Sequence, residues 1–158
     1  MSMNIWVAGA VSEASTELAA FDACLLKTGI GNLNLLYLSS VIPPGARVIR
    51  GPADLEESAW GDRLYCVMSQ TRTSVVGHQV WAGLGWVQDA ATGRGFFAEA
   101  MGSSESEVRL QLSDTLSDMT RARSGNWNPV ESVVIGGTCT GRPICAVVSA
   151  SFATEQWA

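Results

Sequence analysis

The chain has 158 residues, 47% of them apolar and only 16% charged, with a formal net charge of −5. That length supports one domain over residues 1–158 with a real core, and so little charge on a small chain points to surface hidden in an oligomer. The acidic balance, with no Lys/Arg cluster, argues against a nucleic-acid partner and suits a cationic small molecule instead.

The N-terminus, MSMNIWVAGAVSE, lacks the basic start of a signal peptide, and no apolar run approaches the length of a membrane span. The expectation is a soluble cytoplasmic protein with no membrane partner. Residues 4–8 (NIWVA) read as a short strand. Residues 15–28 (STELAAFDACLLKT) read as a helix capped by Ser15, with Glu17 in its first turn and Gly29 ending it. The run 33–39 reads as a buried strand, and Pro43, Pro44 and Gly45 then turn the chain. Further strands are predicted at 46–50, 63–71, 78–87, 94–101, 131–136 and 143–151. The segment HQVWAGLGWV at 78–87 carries many small residues, as a crowded sheet face or an interface requires.

The second helix has the clearest signals. In SSESEVRLQLSDTLSDMTRAR, Ser104 and Glu107 form a capping box, and Val108, Leu112, Leu116 and Met119 make one apolar stripe. Arg121 and Arg123 suit its C-terminal end, and Gly125 follows. Two helices and seven or eight strands give an α+β domain of stacked antiparallel sheets with helices outside.

The residues that chemistry could use are few. Cys24, Cys66, Cys139 and Cys145 form no C-x-x-C pair and sit among apolar neighbours, so they read as buried free thiols of a reducing compartment. His78 is the single histidine, which rules out a histidine-rich metal site; no metal is expected. Asp22 falls among Leu18, Phe21 and Leu25, within the apolar stripe of the first helix. It is either paired with a backbone amide or an arginine, which is the preferred reading, or an acid waiting for a cationic ligand. Glu99, in GRGFFAEAMG, is the one charge of a strand-like segment, and alternation places it on a face with Phe97 and Met101. It is either a half-buried acid with a raised pKa or an edge-strand acid facing water. Ser39 and Ser40 close the run LNLLYLSSVIPP, a common strand ending by itself.

The block AAFDACLLKTGIGNLNLLYLSSVIPPGARV resembles the pyruvoyl-dependent arginine decarboxylases. The likeness rests on F-D-x-x-L-L at 21–26, G-I-G-N-x-N-L at 29–35 and L-S-S-x-I-P-P at 38–44, with G-x-x-x-E at 95–99 matching the family's acid motif. It extends more loosely through G-W-V-Q-D-x-x-T-G-R-G at 85–95. Two residues after the glutamate, where members often carry a second acid, this chain has Met101.

The resemblance implies a proenzyme that cuts itself between Ser39 and Ser40, giving a β chain of residues 1–39 and an α chain of residues 40–158. Ser40 Oγ attacks the Ser39 carbonyl, and Ser40 becomes the pyruvoyl group, which forms a Schiff base with the substrate amine. Asn34 is implied as a donor to the oxyanion of that shift. Glu99 becomes the proton donor to the substrate Cα, and Asp22 the partner of the arginine guanidinium. Leu18, Gly31, Leu33 and Val41 match positions that shape the substrate pocket. The implied cofactor is internal, so no pyridoxal phosphate is needed, and G-I-G-N is not the phosphate-cradling G-x-G-x-x-G. The implied fold is an αββα sandwich. It assembles as a trimer of αβ protomers or a dimer of trimers, with sites between neighbours. The implied reaction converts L-arginine to agmatine, a polyamine precursor, and CO₂. The same fold acting on another amino acid stays open, as does an unprocessed, non-catalytic oligomeric protein.

Overall fold

The C-terminal run ICAVVSASFATE is apolar on both faces because it lies at the centre of a sheet covered on both sides. A computed structural model describes residues 2–158. In chain order it contains β1 (Met3–Glu13), α1 (Glu17–Lys27), β2 (Asn34–Tyr37), β3 (Val41–Ile42), β4 (Ala46–Arg50), a 3₁₀ turn (Glu57–Ala59), β5 (Arg63–Thr73), β6 (Gln79–Gln88), β7 (Gly95–Gly102), α2 (Glu105–Arg121), β8 (Glu131–Thr138) and β9 (Ile144–Glu155). One sheet has the order β2-β5-β9-β1-β4, the other β3-β7-β6-β8. The ladders are antiparallel except at two edges, where β4 runs parallel to β1 and β2 parallel to β5.

Alternation along the strands sorts the core into three layers. On β9, Ile144, Ala146, Val148 and Ala150 join Val80, Leu84, Trp86 and Phe97 between the sheets. Cys145 and Val147 point the other way and pack with Ala20, Cys24 and Leu25 under α1. Phe96, Ala98 and Ala100 meet Val108, Leu112 and Leu116 under α2. Helix, sheet, sheet and helix therefore stack as an αββα sandwich.

Both helices carry the caps that their sequences suggest, with shifts of one residue. Thr16, not Ser15, caps α1, its hydroxyl accepting from the Ala19 N–H at 3.1 Å. Gly29, at φ +86°, ends α1 in the left-handed region that favours glycine. Ser104 Oγ accepts from the Glu107 N–H at 3.2 Å, while the Glu107 carboxylate reaches back to the Ser103 N–H at 3.1 Å, one residue beyond the expected partner.

Two expectations fail for a physical reason. The first strand runs to Glu13 rather than ending at residue 8, because it pairs with β9 from Trp6 to Glu13. The run 33–39 is not one buried strand. β2 stops at Tyr37 and is a sheet edge bonded only to β5, so Leu36 and Tyr37 stay exposed.

The chain then changes sheets. β2 belongs to the five-stranded sheet and β3 to the four-stranded one, and only Leu38, Ser39 and Ser40 connect them. The Leu38 N–H is tied to Cys66 O at 2.9 Å in one sheet, and Ser40 O accepts from the Phe97 N–H at 2.8 Å in the other. Turning that sharply puts Ser40 at φ +80°, in the left-handed region, although it is not glycine. Such a conformation costs an L-residue roughly 1–2 kcal/mol.

The small residues of β6 form a bed for α2. A Cβ at Gly83 would lie 2.7 Å from Val108 Cγ1 and 3.0 Å from Leu112 Cδ1, so the glycine sets the height of the helix. Gly83→Ala should destabilise the fold by about 1–3 kcal/mol through overpacking. Urea unfolding reads this, and an unchanged midpoint means that α2 does not sit where described. The crossover predicts a second result. Ser40→Gly and Ser40→Ala both lack the hydroxyl, but only glycine is free of the left-handed penalty. Its larger unfolded-state entropy offsets part of the gain, so Ser40→Gly should be the more stable by about 1 kcal/mol. Equal stabilities would argue against a strained Ser40.

Candidate active site

The sheet crossover brings one pair of the sequence-predicted residues together. Ser40 is buried, only 9% exposed, and its hydroxyl donates to Glu99 Oε1 at 3.4 Å. The ladder does this: β3 pairs with the start of β7 through Val41–Phe96 and Ile42–Gly95, and Glu99 follows on the same strand. Phe97 on β7 faces the space between the sheets, so alternation sends Glu99 and Met101 to that side, beyond the end of the packed core. Glu99 there borders an open depression of about 510 Å³ with Met68, Ser69, Gln70, Met101 and Gln111.

Electrostatics set this carboxyl apart. Partial burial pushes Glu99 up from the ordinary carboxyl value, and the Ser40 hydroxyl bond works against that rise. The groups around it answer in kind. Burial pushes the Cys66 thiol up to about 12, with the Glu99 charge adding to the rise. Burial also raises Tyr37, helped by Cys66 and Glu99. The Tyr37 hydroxyl donates to Met68 Sδ at 3.6 Å. Tyr37, Cys66 and Ser69 are members of this neighbourhood that sequence reasoning missed. Tyr37 had a signal, being the polar ring in the apolar run two residues before Ser39. Ser69 had none, since its hydroxyl bond to Ala100 O at 2.6 Å depends on a tertiary contact.

The other expected site residues lie elsewhere on this chain. Asp22 is not within the buried stripe of α1. The residues facing the sheet are Ala20, Cys24 and Leu25, while Asp22 shares the solvent face with Leu18 and Leu26, four residues to either side. Leu18 is 67% exposed. Among the described residues no hydrogen bond or ion pair engages the Asp22 carboxylate, so the preferred paired reading of this acid fails. Gly31 and Leu33 line a small cleft of about 190 Å³ with Leu26, Leu55 and Trp60. Asn34 does not reach the serine pair: its amide donates to Gly61 O at 2.7 Å. Val41 is 65% exposed and borders, with Ser39, a groove of about 660 Å³.

The four cysteines are buried and unpaired. Among the described residues no cluster of His, Cys, Asp and Glu could hold a metal ion, and no helix is long and apolar enough to cross a membrane. His78 lies on the exposed turn before β6, far in sequence from the serine pair.

A carboxyl whose pKa is raised, a buried hydroxyl against it and a left-handed backbone at the bond between two serines are features of one place. Comparison with known proteins adds a family. Relatives named pyruvoyl-dependent arginine decarboxylase include one from Methanocaldococcus jannaschii, 52% identical over 46 residues that cover 29% of this chain and 27% of the relative. One from Methanopyrus kandleri is 62% identical over 34 residues, 22% of this chain and 23% of the relative. Pyruvoyl-dependent arginine decarboxylase 2 of Archaeoglobus fulgidus is 31% identical over 82 residues, 52% of each chain. The chain thus spans about half the length, or less, of the curated relatives it matches. The family model described as "Pyruvoyl-dependent arginine decarboxylase (PvlArgDC)" matches residues 4–156, nearly the whole chain. The chain belongs to the pyruvoyl-dependent arginine decarboxylase family.

Proposed function

We propose that this protein cuts itself between Ser39 and Ser40 and then decarboxylates L-arginine to agmatine and CO₂. One observation carries the reading: the buried Ser40, strained at φ +80°, directs its hydroxyl at Glu99 from 3.4 Å. Ser40 Oγ is the attacking atom on the Ser39 carbonyl carbon. The strain favours reaction, because the residue made from Ser40 heads its own chain and no longer has a φ angle to hold.

Ser40 suits a pyruvoyl group. Its carbonyl oxygen is already held by the Phe97 N–H at 2.8 Å, and the β3–β7 ladder fixes the residues that follow it. When formed, the pyruvoyl carbonyl supplies an electrophile for the substrate amine and a sink for the electrons that CO₂ leaves behind. Glu99 keeps a proton at its carboxyl and delivers it to the substrate Cα. Asp22 is the carboxylate for the guanidinium, supplied by a neighbouring copy. Its helix face, with Leu18 and Leu26, is exposed on a single chain, as are Tyr37, Val41 and Met101 near the serine pair. A trimer, or a dimer of trimers, covers those surfaces and closes the site between copies. We place the protein in the cytoplasm, where unpaired buried thiols persist.

Denaturing mass spectrometry tests the first step. Wild type should appear as two fragments split after Ser39, with a carbonyl-blocked α chain, and Ser40→Ala as one intact folded chain. A split Ser40→Ala protein removes Ser40 from the cleavage. Glu99→Gln keeps an oxygen for the Ser40 hydroxyl, so it should be processed, yet lose about a hundred- to ten-thousand-fold in turnover. The pH profile follows from the direction of the Glu99 shift. An acid with a raised pKa keeps its proton above the ordinary carboxyl range and loses it as pH rises through the raised value. Turnover should therefore fall on the alkaline side of that value. A processed Glu99→Gln enzyme with wild-type turnover would exclude Glu99 as the donor.

Asp22 tests the substrate. A shielded bidentate guanidinium–carboxylate contact exceeds a point-charge contact to an ammonium group, so arginine should outperform lysine and ornithine. Asp22→Asn should raise the KM for arginine strongly and leave self-cleavage intact. CO₂ release across a panel of amino acids reads both results. Preference for a neutral amino acid, or unchanged arginine kinetics in Asp22→Asn, would leave only the pyruvoyl class standing.

A further inference from the structure

The two sides of the Ser39–Ser40 bond look into different spaces. Ser40 faces Glu99, but Ser39 borders the groove of about 660 Å³ on the other side of β7. Val41, Pro44, Phe96 and Trp127 wall that groove, and Arg94 and Arg123 are its charged residues. Each guanidinium has one backbone tether. Arg94 donates to Ser124 O at 3.0 Å. Arg123 lies 5.0 Å above the Phe96 ring and donates to Met119 O at 3.1 Å. Each contact uses a fraction of the five N–H donors of an arginine. Among the described residues neither arginine has a carboxylate partner, although the chain is acidic overall. Two cations without a carboxylate partner thus line the groove that Ser39 borders.

We propose that Arg94 and Arg123 receive the carboxylate that Ser39 acquires when the chain is cut, and that they speed the cut by stabilising it as the leaving group. The inference rests on the self-cleavage proposed above. In the first step the Ser40 hydroxyl adds to the Ser39 carbonyl carbon. The C–N bond breaks, the nitrogen takes the proton, and an ester of unchanged mass joins the residues. In the second step a base removes the Ser40 Cα proton. The Cβ–Oγ bond breaks, and its electron pair leaves on the oxygen, now part of the Ser39 carboxylate. Water then converts the remaining dehydroalanine amine to the pyruvoyl carbonyl and ammonia. The oxyanion of the first step is transient and collapses to a neutral ester, whereas the second step leaves a lasting carboxylate on Ser39, so cations in its groove favour the elimination more than the acyl shift.

The tethers fit this division. Leu38 is anchored to Cys66 O and Ser40 to the Phe97 N–H, whereas Ser39 makes no hydrogen bond among the described residues. Once cut, Ser39 is a free end one residue past an anchor, already at the lip of the groove. A carboxylate drawn into the groove is also drawn away from Glu99.

Refolded or freshly translated chain, followed in time with and without hydroxylamine, tests the idea. Hydroxylamine splits an ester to give an α chain beginning with serine, which mass spectrometry distinguishes from one beginning with pyruvoyl. Arg94→Gln and Arg123→Gln should form the ester as wild type does but eliminate roughly tenfold more slowly, since the groove is open to water, so hydroxylamine-labile intact chain accumulates. Arg94→Lys, which keeps the charge, should recover much of the rate. Variants that reach the pyruvoyl form at the wild-type rate overturn the proposal while leaving self-cleavage standing. A wild-type chain that never splits removes both. A measurement on mature wild type avoids any folding defect: ¹³C-carboxyl labelling of serine follows the titration of the Ser39 terminus. Its pKa should lie below that of an ordinary chain end. An ordinary value overturns the pairing.

Discussion

Everything at the candidate site follows from the shortness of the link between the two sheets. Three residues must carry the chain from the edge of one sheet to the edge of the other, and backbone bonds fix both ends of the link. A longer loop would spread the turn over several relaxed residues. Here Ser40 takes a left-handed conformation that serine does not favour. The penalty is about 1–2 kcal/mol, small beside the stability of a domain but placed on the one residue whose backbone and hydroxyl are both expected to react.

The core makes that link rigid. β5, β9 and β6 bury residues on both faces, so neither sheet can shift without opening a packed layer. Cys66 on β5 and Phe97 on β7, which anchor the two ends of the link, are themselves buried in those layers. The thiols of Cys24 and Cys145 serve the packing here, since they sit under α1 and not at the serine pair. Asp89 has a comparable structural role that its acidic character did not suggest. Its carboxylate accepts the N–H groups of Ala91, Thr92 and Asn126, and so fixes the turn that delivers Arg94 and β7.

Much of this was legible from the sequence. The stripe Val108, Leu112, Leu116 announced α2, and the alternation around Glu99 placed it on the face it occupies, with Phe97 and Met101. Periodicity misjudged α1, because Leu18 and Leu26 are apolar but face outward. A helical wheel counts apolar residues and cannot tell a face that meets the chain's own core from one left for a neighbour. The run before Ser39 misled in the same way, since a hydrophobic edge strand and a buried strand read alike. The left-handed Ser40 was illegible, for it depends on how far apart the two sheet edges lie. The Asn34–Gly61 bond was equally hidden, because it joins a strand to a loop 27 residues away.

The alternation of β7 also explains how opposed charges coexist beside one bond. A proton-donating carboxyl must keep its pKa high, and a nearby guanidinium would lower it by favouring the ionised form. An anion formed by cleavage needs the reverse environment. A strand separates the two, since successive side chains point to opposite faces. Phe96 turns toward α2 and carries Arg123 on its ring, while Phe97 turns into the space between the sheets and Glu99 lies on the same side of the strand, at the open depression past the packed core. Ser39 and Ser40 repeat the division one strand away, the first against the arginine groove and the second against Glu99. The sheet thus insulates an acid with a raised pKa from two cations that border the groove just across the strand, and the bond between the serines lies where the two environments meet.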